Sequence, residues 1–185
     1  MAITCTATEA GVMRRKQTAH DMIEIETERL VLRAPEGQDV QALTEFYISE
    51  RSAMAGGNVS HSEAVTRAYS ILGHWVHRGY GLFAITRKGE KFAIGMAGPY
   101  YPQGRPETEI GWVLFQGAEG NGYATEAAKA TIRFAKTTLH WSNIVHYINI
   151  GNERSISVAE RLGSRLDPDA QQPKPEHPCL VYRQP

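Results

Sequence analysis

The chain has very little cysteine: across 185 residues there are only Cys5 and Cys179, near opposite ends. Two sulfurs so far apart exclude a disulfide framework and show no metal-ligand spacing, so both are read as ordinary thiols. It also lacks an excess of either charge, with twenty Lys plus Arg against twenty Asp plus Glu. The pI near 7.1 argues against the broad basic surface of a nucleic-acid binder, and no DNA partner is expected. No apolar run approaches the ~20 residues needed to cross a bilayer, and the N-terminus shows no apolar signal segment. The expectation is a soluble cytoplasmic protein with no membrane partner. Seven histidines include one helically spaced pair, His74 and His77, without further ligands at a recognisable spacing, so no metal is expected.

What is present suits one domain. With 42% apolar and 22% charged residues the chain can bury a sizeable core. Residues 1–22, with the basic run Arg14, Arg15 and Lys16, have neither apolar period nor turn punctuation and read as a flexible extension. The domain is expected over residues 23–185. Val40, Leu43, Phe46 and Tyr47 recur at helical spacing after Asp39, and a second helix is expected from about Ser62 to His77, ended by Gly79. Leu82 to Thr86 and Phe92 to Ala97 read as antiparallel strands joined at Lys88, Gly89 and Glu90. A helix from about Glu153 to Leu162 then leads through a segment rich in proline to a closing strand.

The most informative stretch is Glu109 to Glu126, EIGWVLFQGAEGNGYATE. A β-branched and aromatic strand, Glu109 to Leu114, runs into a turn containing Gly117, Gly120 and Gly122 and then into Ala124, Ala127 and Ala128, which begin a helix to about Leu139. With a strand from about Ile144 to Ile150 this makes a βαβ crossover, whose strands run parallel and whose ligand sits at their C-terminal ends. Free N–H groups at such a junction, with the positive end of the helix dipole, suit an anionic group such as phosphate. A nucleotide-triphosphate loop needs Lys and then Ser or Thr where this chain has Tyr123 and Ala124. A dinucleotide fingerprint needs an acid about 20 residues on, where Asn143 to Tyr147 has none.

The loop resembles the pyrophosphate loop of the GNAT superfamily of acyl-CoA-dependent N-acyltransferases, Arg/Gln-x-x-Gly-x-Gly/Ala, with Gly122 and Ala124 in the conserved small positions. The continuation GYATEA resembles the branch of ribosomal-protein N-terminal acetyltransferases. ERLVLR at Glu28 to Arg33, NERSISVAERLG at Asn152 to Gly163 and LVYR at Leu180 to Arg183 are similar to other segments of the family, in the family's order. There are departures: Glu119 stands where Arg, Gln or Trp is usual, Ala159 where many relatives have Tyr, and Ser164 where Phe is usual.

The resemblance implies an α+β fold, with a mostly antiparallel sheet of about seven strands, a splayed parallel pair formed by the fourth and fifth, and about four helices. It implies acetyl-CoA as co-substrate and a primary amine, either a protein N-terminal α-amine or a small molecule, attacking the thioester directly in a monomer or homodimer. Cofactor contacts are expected from Trp112, Val113, Leu114, Glu119, Gly120, Asn121, Gly122, Tyr123, Ala124, Thr125, Asn152 and Ser155. At Glu119 the main-chain N–H groups rather than the carboxylate are expected to carry the interaction. Lys129 and Arg133 lie within reach on the following helix or form a solvated face.

Glu109 is read as the general base or as an ion-paired carboxylate at the strand edge, with Glu107 as a weaker alternative base. Ser155 is read as the acid that protonates the thiolate or as a plain first-turn residue. Asn152 bonds the pantetheine arm or only caps its helix. The resemblance also implies an oxyanion donor among the main-chain N–H groups near Val113 or Leu114. The acceptor side is expected to involve the Glu50 to Ser60 loop, the region Trp75 to Leu82 and residues 167–178, with Trp75, Tyr80, Tyr100, Tyr101 and Trp112 as candidate lining. No acidic cluster marks a polyamine pocket. The alternative of a different class is a non-catalytic CoA-binding sensor, which the departures at Glu119 and Ser164 suggest.

Overall fold

A computed structural model describes residues 23–185. The expected extension over 1–22, with its basic run and Cys5, lies outside the described residues. Strand β1 (Glu24–Glu26) and β2 (Leu30–Arg33) are followed by helix α1 (Asp39–Ile48), a 3-10 turn (Glu50–Ala55) and helix α2 (His61–Arg78). Then come β3 (Phe83–Arg87), β4 (Gly95–Tyr100), β5 (Glu109–Leu114), α3 (Tyr123–Thr137), β6 (Val145–Ile148), α4 (Glu153–Arg161), β7 (Arg165–Leu166) and β8 (Leu180–Arg183). One eight-stranded sheet has the order β1-β2-β3-β4-β5-β6-β8-β7, and the β5–β6 pair is its parallel one. The short strands β1 and β7 take the sheet past the seven strands expected.

The sheet is covered on both faces, because alternate residues of one strand point opposite ways. On β3, Ala84 packs with Leu43 of α1 and with Ala68 and Ile71 of α2, while Phe83 and Ile85 pack with Leu30, Leu32 and Ala127 of α3. Small residues at 127, 128 and 135 bring α3 close to the strands, and all three are fully buried. A capping box starts α2: Ser60 accepts from the Glu63 N–H and the Glu63 carboxylate accepts from the Ser60 N–H. Such an arrangement stabilises a helix by about 1 kcal/mol.

The strand expected from Phe92 to Ala97 begins instead at Gly95 and runs through Pro99 to Tyr100. Proline argues against an interior strand because it cannot donate to the ladder. Here β3 stops pairing at Ala97, so beyond that point β4 is bonded only to β5, where a missing N–H is tolerated.

The arrangement that positions the site is the early divergence of the parallel pair. Between β5 and β6 the register is Glu109 with Val145, at the start of both strands, after which they part. His146 fills the fork. Its Nδ1–H donates to the Ile110 carbonyl (2.7 Å), and its Nε2 accepts from the Ser164 hydroxyl (3.0 Å), which itself accepts from the Gln184 amide. The ring also packs on Trp112, with centroids 4.8 Å apart. Ser164 is thus a partner for a buried histidine, which gives a physical reason for a hydroxyl where phenylalanine is usual.

Candidate active site

Two depressions open on the forked strands. One is a groove of about 1610 Å3 along the C-terminal end of β5 and the first turns of α3 and α4. The other is a cavity of about 670 Å3 on the opposite side of the fork, roofed by α2 and by the loop that contains Pro173 to Cys179. Trp112, Val113, Asn152 and Ser155 line both, as do Met54 and Ala55 of the 3-10 turn. These residues form the passage between the two.

The groove is built largely from main chain. Gly120 and Gly122 have φ of +80° and +77°, a conformation that costs residues with a Cβ roughly 1–2 kcal/mol. No side chain caps α3, and its first hydrogen-bonded N–H is that of Glu126, to the Gly122 carbonyl. The amides of residues 123–125 therefore carry the positive end of the helix without a capping side chain, a ready anion site. From the opposite wall, the Asn152 carbonyl oxygen caps α4 by accepting from the Ser155 N–H (3.2 Å), and its amide donates to the Met54 carbonyl (3.3 Å). Asn152 is thus an N-cap, a groove residue and a tether for the 3-10 turn. The Ser155 hydroxyl lies beside it with no hydrogen-bond partner among the described residues.

Most of the sequence-predicted contacts meet in this groove: Trp112, Val113, Leu114, Glu119, Gly120, Gly122, Ala124, Thr125, Asn152 and Ser155 all line it, with Lys129. Two do not present side chains to it. Asn121 braces the loop by donating to the Ala118 and Glu119 carbonyls, and its own carbonyl accepts from Arg29. Tyr123 lies under the guanidiniums of Arg29 and Arg87 and packs against the core. Arg133 is likewise outside the groove lining. Glu119 is ion-paired with Arg51 of the 3-10 turn, so the carboxylate at the unusual position brings its own counter-charge.

The cavity is built from side chains. Glu109 is 9% exposed, and its Oε2 has no hydrogen-bond partner, the nearest cation being the Arg105 guanidinium at 3.9 Å. Burial pushes this carboxyl up to about 7, against the opposing pull of Arg105. The strand-edge salt bridge of the alternative reading is therefore long and incomplete. Gly111, two residues on and without a side chain, leaves the space above the carboxylate open. The Tyr147 hydroxyl is also buried without a partner, beneath Arg105. Glu107, the weaker candidate base, is taken up by Arg183, which holds it below the usual carboxylate range.

The aromatic lining expected for the acceptor side is only partly found. Tyr100 and Trp112 face the cavity. Trp75 is buried in the core, with its indole donating to the Leu82 carbonyl, while Tyr80 packs on Trp141 and Tyr101 on Arg78. His74 is a brace and not a ligand: Nδ1–H donates to the Tyr80 carbonyl, and Nε2 accepts from the Tyr101 N–H. Among the described residues no three His, Cys, Asp or Glu side chains gather as a metal site, and no helix is long and apolar enough to cross a membrane. Arg67, Arg105 and Tyr147 carried no motif in the sequence and were missed. Only their convergence in space sets them apart.

Residues 29–165 match the acetyltransferase (GNAT) domain family. The chain belongs to the GNAT acetyltransferase family. An acetyltransferase from Agrobacterium tumefaciens is 36% identical, with a TM-score of 0.82 over 92% of this chain and 99% of that one. The uncharacterized N-acetyltransferase YnaD of Bacillus subtilis is 27% identical, over 78% of this chain and 84% of its own length. The ribosomal α-N-protein acetyltransferase RimL, at 19% identity and a TM-score of 0.68 over 92% of this chain and 98% of that one, shares the fold. This GNAT protein is thus an N-acetyltransferase, and the family's acyl donor is acetyl-CoA.

Proposed function

We propose that the protein transfers the acetyl group of acetyl-CoA to a primary amine held in the cavity beside Glu109, the amine attacking the thioester directly. The observation that carries this reading is the buried Glu109 carboxylate, whose Oε2 has no hydrogen-bond partner, in a cavity that meets the cofactor groove at Trp112, Val113, Asn152 and Ser155. The diphosphate is assigned to the N–H groups of the Gly120 to Thr125 turn and the pantetheine arm to the passage.

The amine arrives as an ammonium ion and must shed a proton to expose its lone pair. A carboxyl near 7 is matched to an α-amine near 8, so this transfer costs roughly 1.4 kcal/mol, against about 4 to 5 kcal/mol for a lysine side chain. A protein N-terminal α-amine or a small amine of similar basicity fits best. Nitrogen then bonds to the carbonyl carbon while charge builds on the oxygen, where a main-chain N–H at Val113 or Leu114 is the assigned donor. The carbon–sulfur bond breaks, Ser155 gives the thiolate its proton and is reprotonated by the second proton shed from nitrogen, and Glu109 returns the first proton to solvent. The net products are N-acetylated amine, CoA thiol and one proton.

Thiol release across a panel of α-amines, small amines and lysine peptides tests this directly, alongside acetyl-CoA calorimetry. Turnover favouring α-amines is expected. Tight acetyl-CoA binding with no turnover on any amine would instead identify a sensor.

A further inference from the structure

The cavity on the acceptor side carries a charge pattern that the cofactor groove does not explain. Arg67 from α2, Arg105 from the β4–β5 loop and Lys174 from the proline-rich segment all line it, and Glu109 is its single carboxylate. The two arginines are half-buried, and among the described residues neither guanidinium makes a hydrogen bond; Arg105 has only the 3.9 Å approach to Glu109. They lie over the faces of Tyr47 and Tyr147, so their N–H edges are left for another partner. The two also act on one place. Burial raises the Tyr100 phenol, and both guanidiniums oppose it by favouring an anion there. The Tyr147 hydroxyl, buried and unpartnered, supplies a neutral donor at the same wall.

Buried polar groups left unpaired cost roughly 1–3 kcal/mol each, and a ligand that satisfies several at once gains them together. A polyamine or a basic peptide would meet like charge here, whereas a carboxylate or phosphate would meet two arginines, a phenol and a lysine. Building on the acetyl-transfer reading, we infer that the acceptor is an anionic amine, bearing a carboxylate or phosphate beside its amino group, with Arg67 and Arg105 holding the anion while the nitrogen faces Glu109. One carboxylate in a cavity with three cationic side chains suits such a zwitterion: the acid draws the ammonium end and the bases draw the other.

The test uses the full chain loaded with CoA, and matched pairs of probes: glycine against glycinamide, O-phosphoethanolamine against ethanolamine, and an alanyl-aspartyl amide against the alanyl-asparaginyl amide. Calorimetry reads binding, and thiol release with acetyl-CoA reads turnover. At least one anionic member is expected to bind about tenfold or more tighter than its neutral partner, and that pair identifies the anion as a free α-carboxylate, a phosphate or a peptide's acidic side chain. The preference is expected to weaken with salt, to collapse in Arg67→Met and to return in Arg67→Lys. Equal binding within all three pairs, or tighter binding of 1,3-diaminopropane than of any anionic probe, overturns the inference. Turnover without charge preference removes this inference and leaves acetyl transfer standing. Charge preference in binding without turnover on any amine keeps the anion site at Arg67 and Arg105 and removes both the acceptor role and the catalytic reading.

Discussion

The groove along α3 and α4 takes its character from main chain, whereas the cavity behind Glu109 takes its character from side chains on separate segments. In the groove, a left-handed turn at Gly120 and Gly122 and an uncapped helix present main-chain N–H groups, all within a short contiguous stretch. In the cavity, Tyr47, Arg67, Arg105, Glu109, Tyr147 and Cys179 come from six places along the chain. Main-chain donors are indifferent to most substitutions, so one groove can serve a donor common to a whole family. Side chains projecting from loops and helix faces change singly, so the other half can be fitted to a particular acceptor.

This contrast breaks most visibly at Glu109. Glu109→Gln is expected to lower kcat by about 10²- to 10⁴-fold and to abolish the limb of the pH–rate profile near 7 while sparing acetyl-CoA affinity, as measured by steady-state kinetics and calorimetry. An unchanged profile would assign the proton to water or to another group.

The next largest effect concerns stability. Glu109 is raised to about 7 in the fold, so the native state holds the extra proton and stability falls as pH rises from about 4.5 through 7. His146 is lowered by burial to about 4, so the unfolded chain holds the extra proton and stability falls as pH drops from 6.5 through about 4. Each effect is on the order of 3 kcal/mol, and the two oppose each other where their windows overlap. Thermal unfolding is therefore expected to vary little from about pH 5 to 6. Glu109→Gln should leave stability rising with pH and a higher Tm at pH 8, and His146→Gln should leave it falling with pH. Parallel profiles in the two variants would contradict the assignments.

At the border of the two halves, Ser155→Ala is expected to reduce kcat roughly tenfold with little change in acetyl-CoA binding, read by single-turnover kinetics and calorimetry. A large affinity loss with normal turnover would leave Ser155 a cofactor-binding residue only. The smallest effect is expected inside the groove, where Glu119 is partly exposed and paired with Arg51. Glu119→Gln frees that guanidinium, and acetyl-CoA is expected to bind a few-fold tighter at low salt, with the gain lost at high salt. A side-chain change in the groove that mattered as much as Glu109 would erase the distinction.

Much of the groove was legible in advance because its parts are neighbours in sequence. The glycine turn, the strand before it and the small residues after it announce one another, and Asn152 with Ser155 sits on a single helical turn. The directions of side chains were less legible. Trp75, Tyr80 and Tyr101 share the aromatic character of Tyr100 and Trp112, yet the end of α2 turns Trp75 into the core and the loops carry the two tyrosines away. Asn121 and Tyr123 alternate with groove residues and so point elsewhere. Ser164 looked like a lost phenylalanine until His146, eighteen residues before it, was found bonded to it.

Taken alone, the turns and apolar periods announced the βαβ unit, which rests on near neighbours and backbone conformation, while the α+β fold and the family were legible through four motifs that resemble those of a known family in the same order. Only the tertiary structure decided that β5 and β6 part after one register pair, that Glu109 is buried, and that Arg67 and Arg105 share a cavity with it. Burial and the convergence of distant charges are properties of the packed chain. They set how hard a proton is held and what an acceptor meets, and no local spacing encodes them.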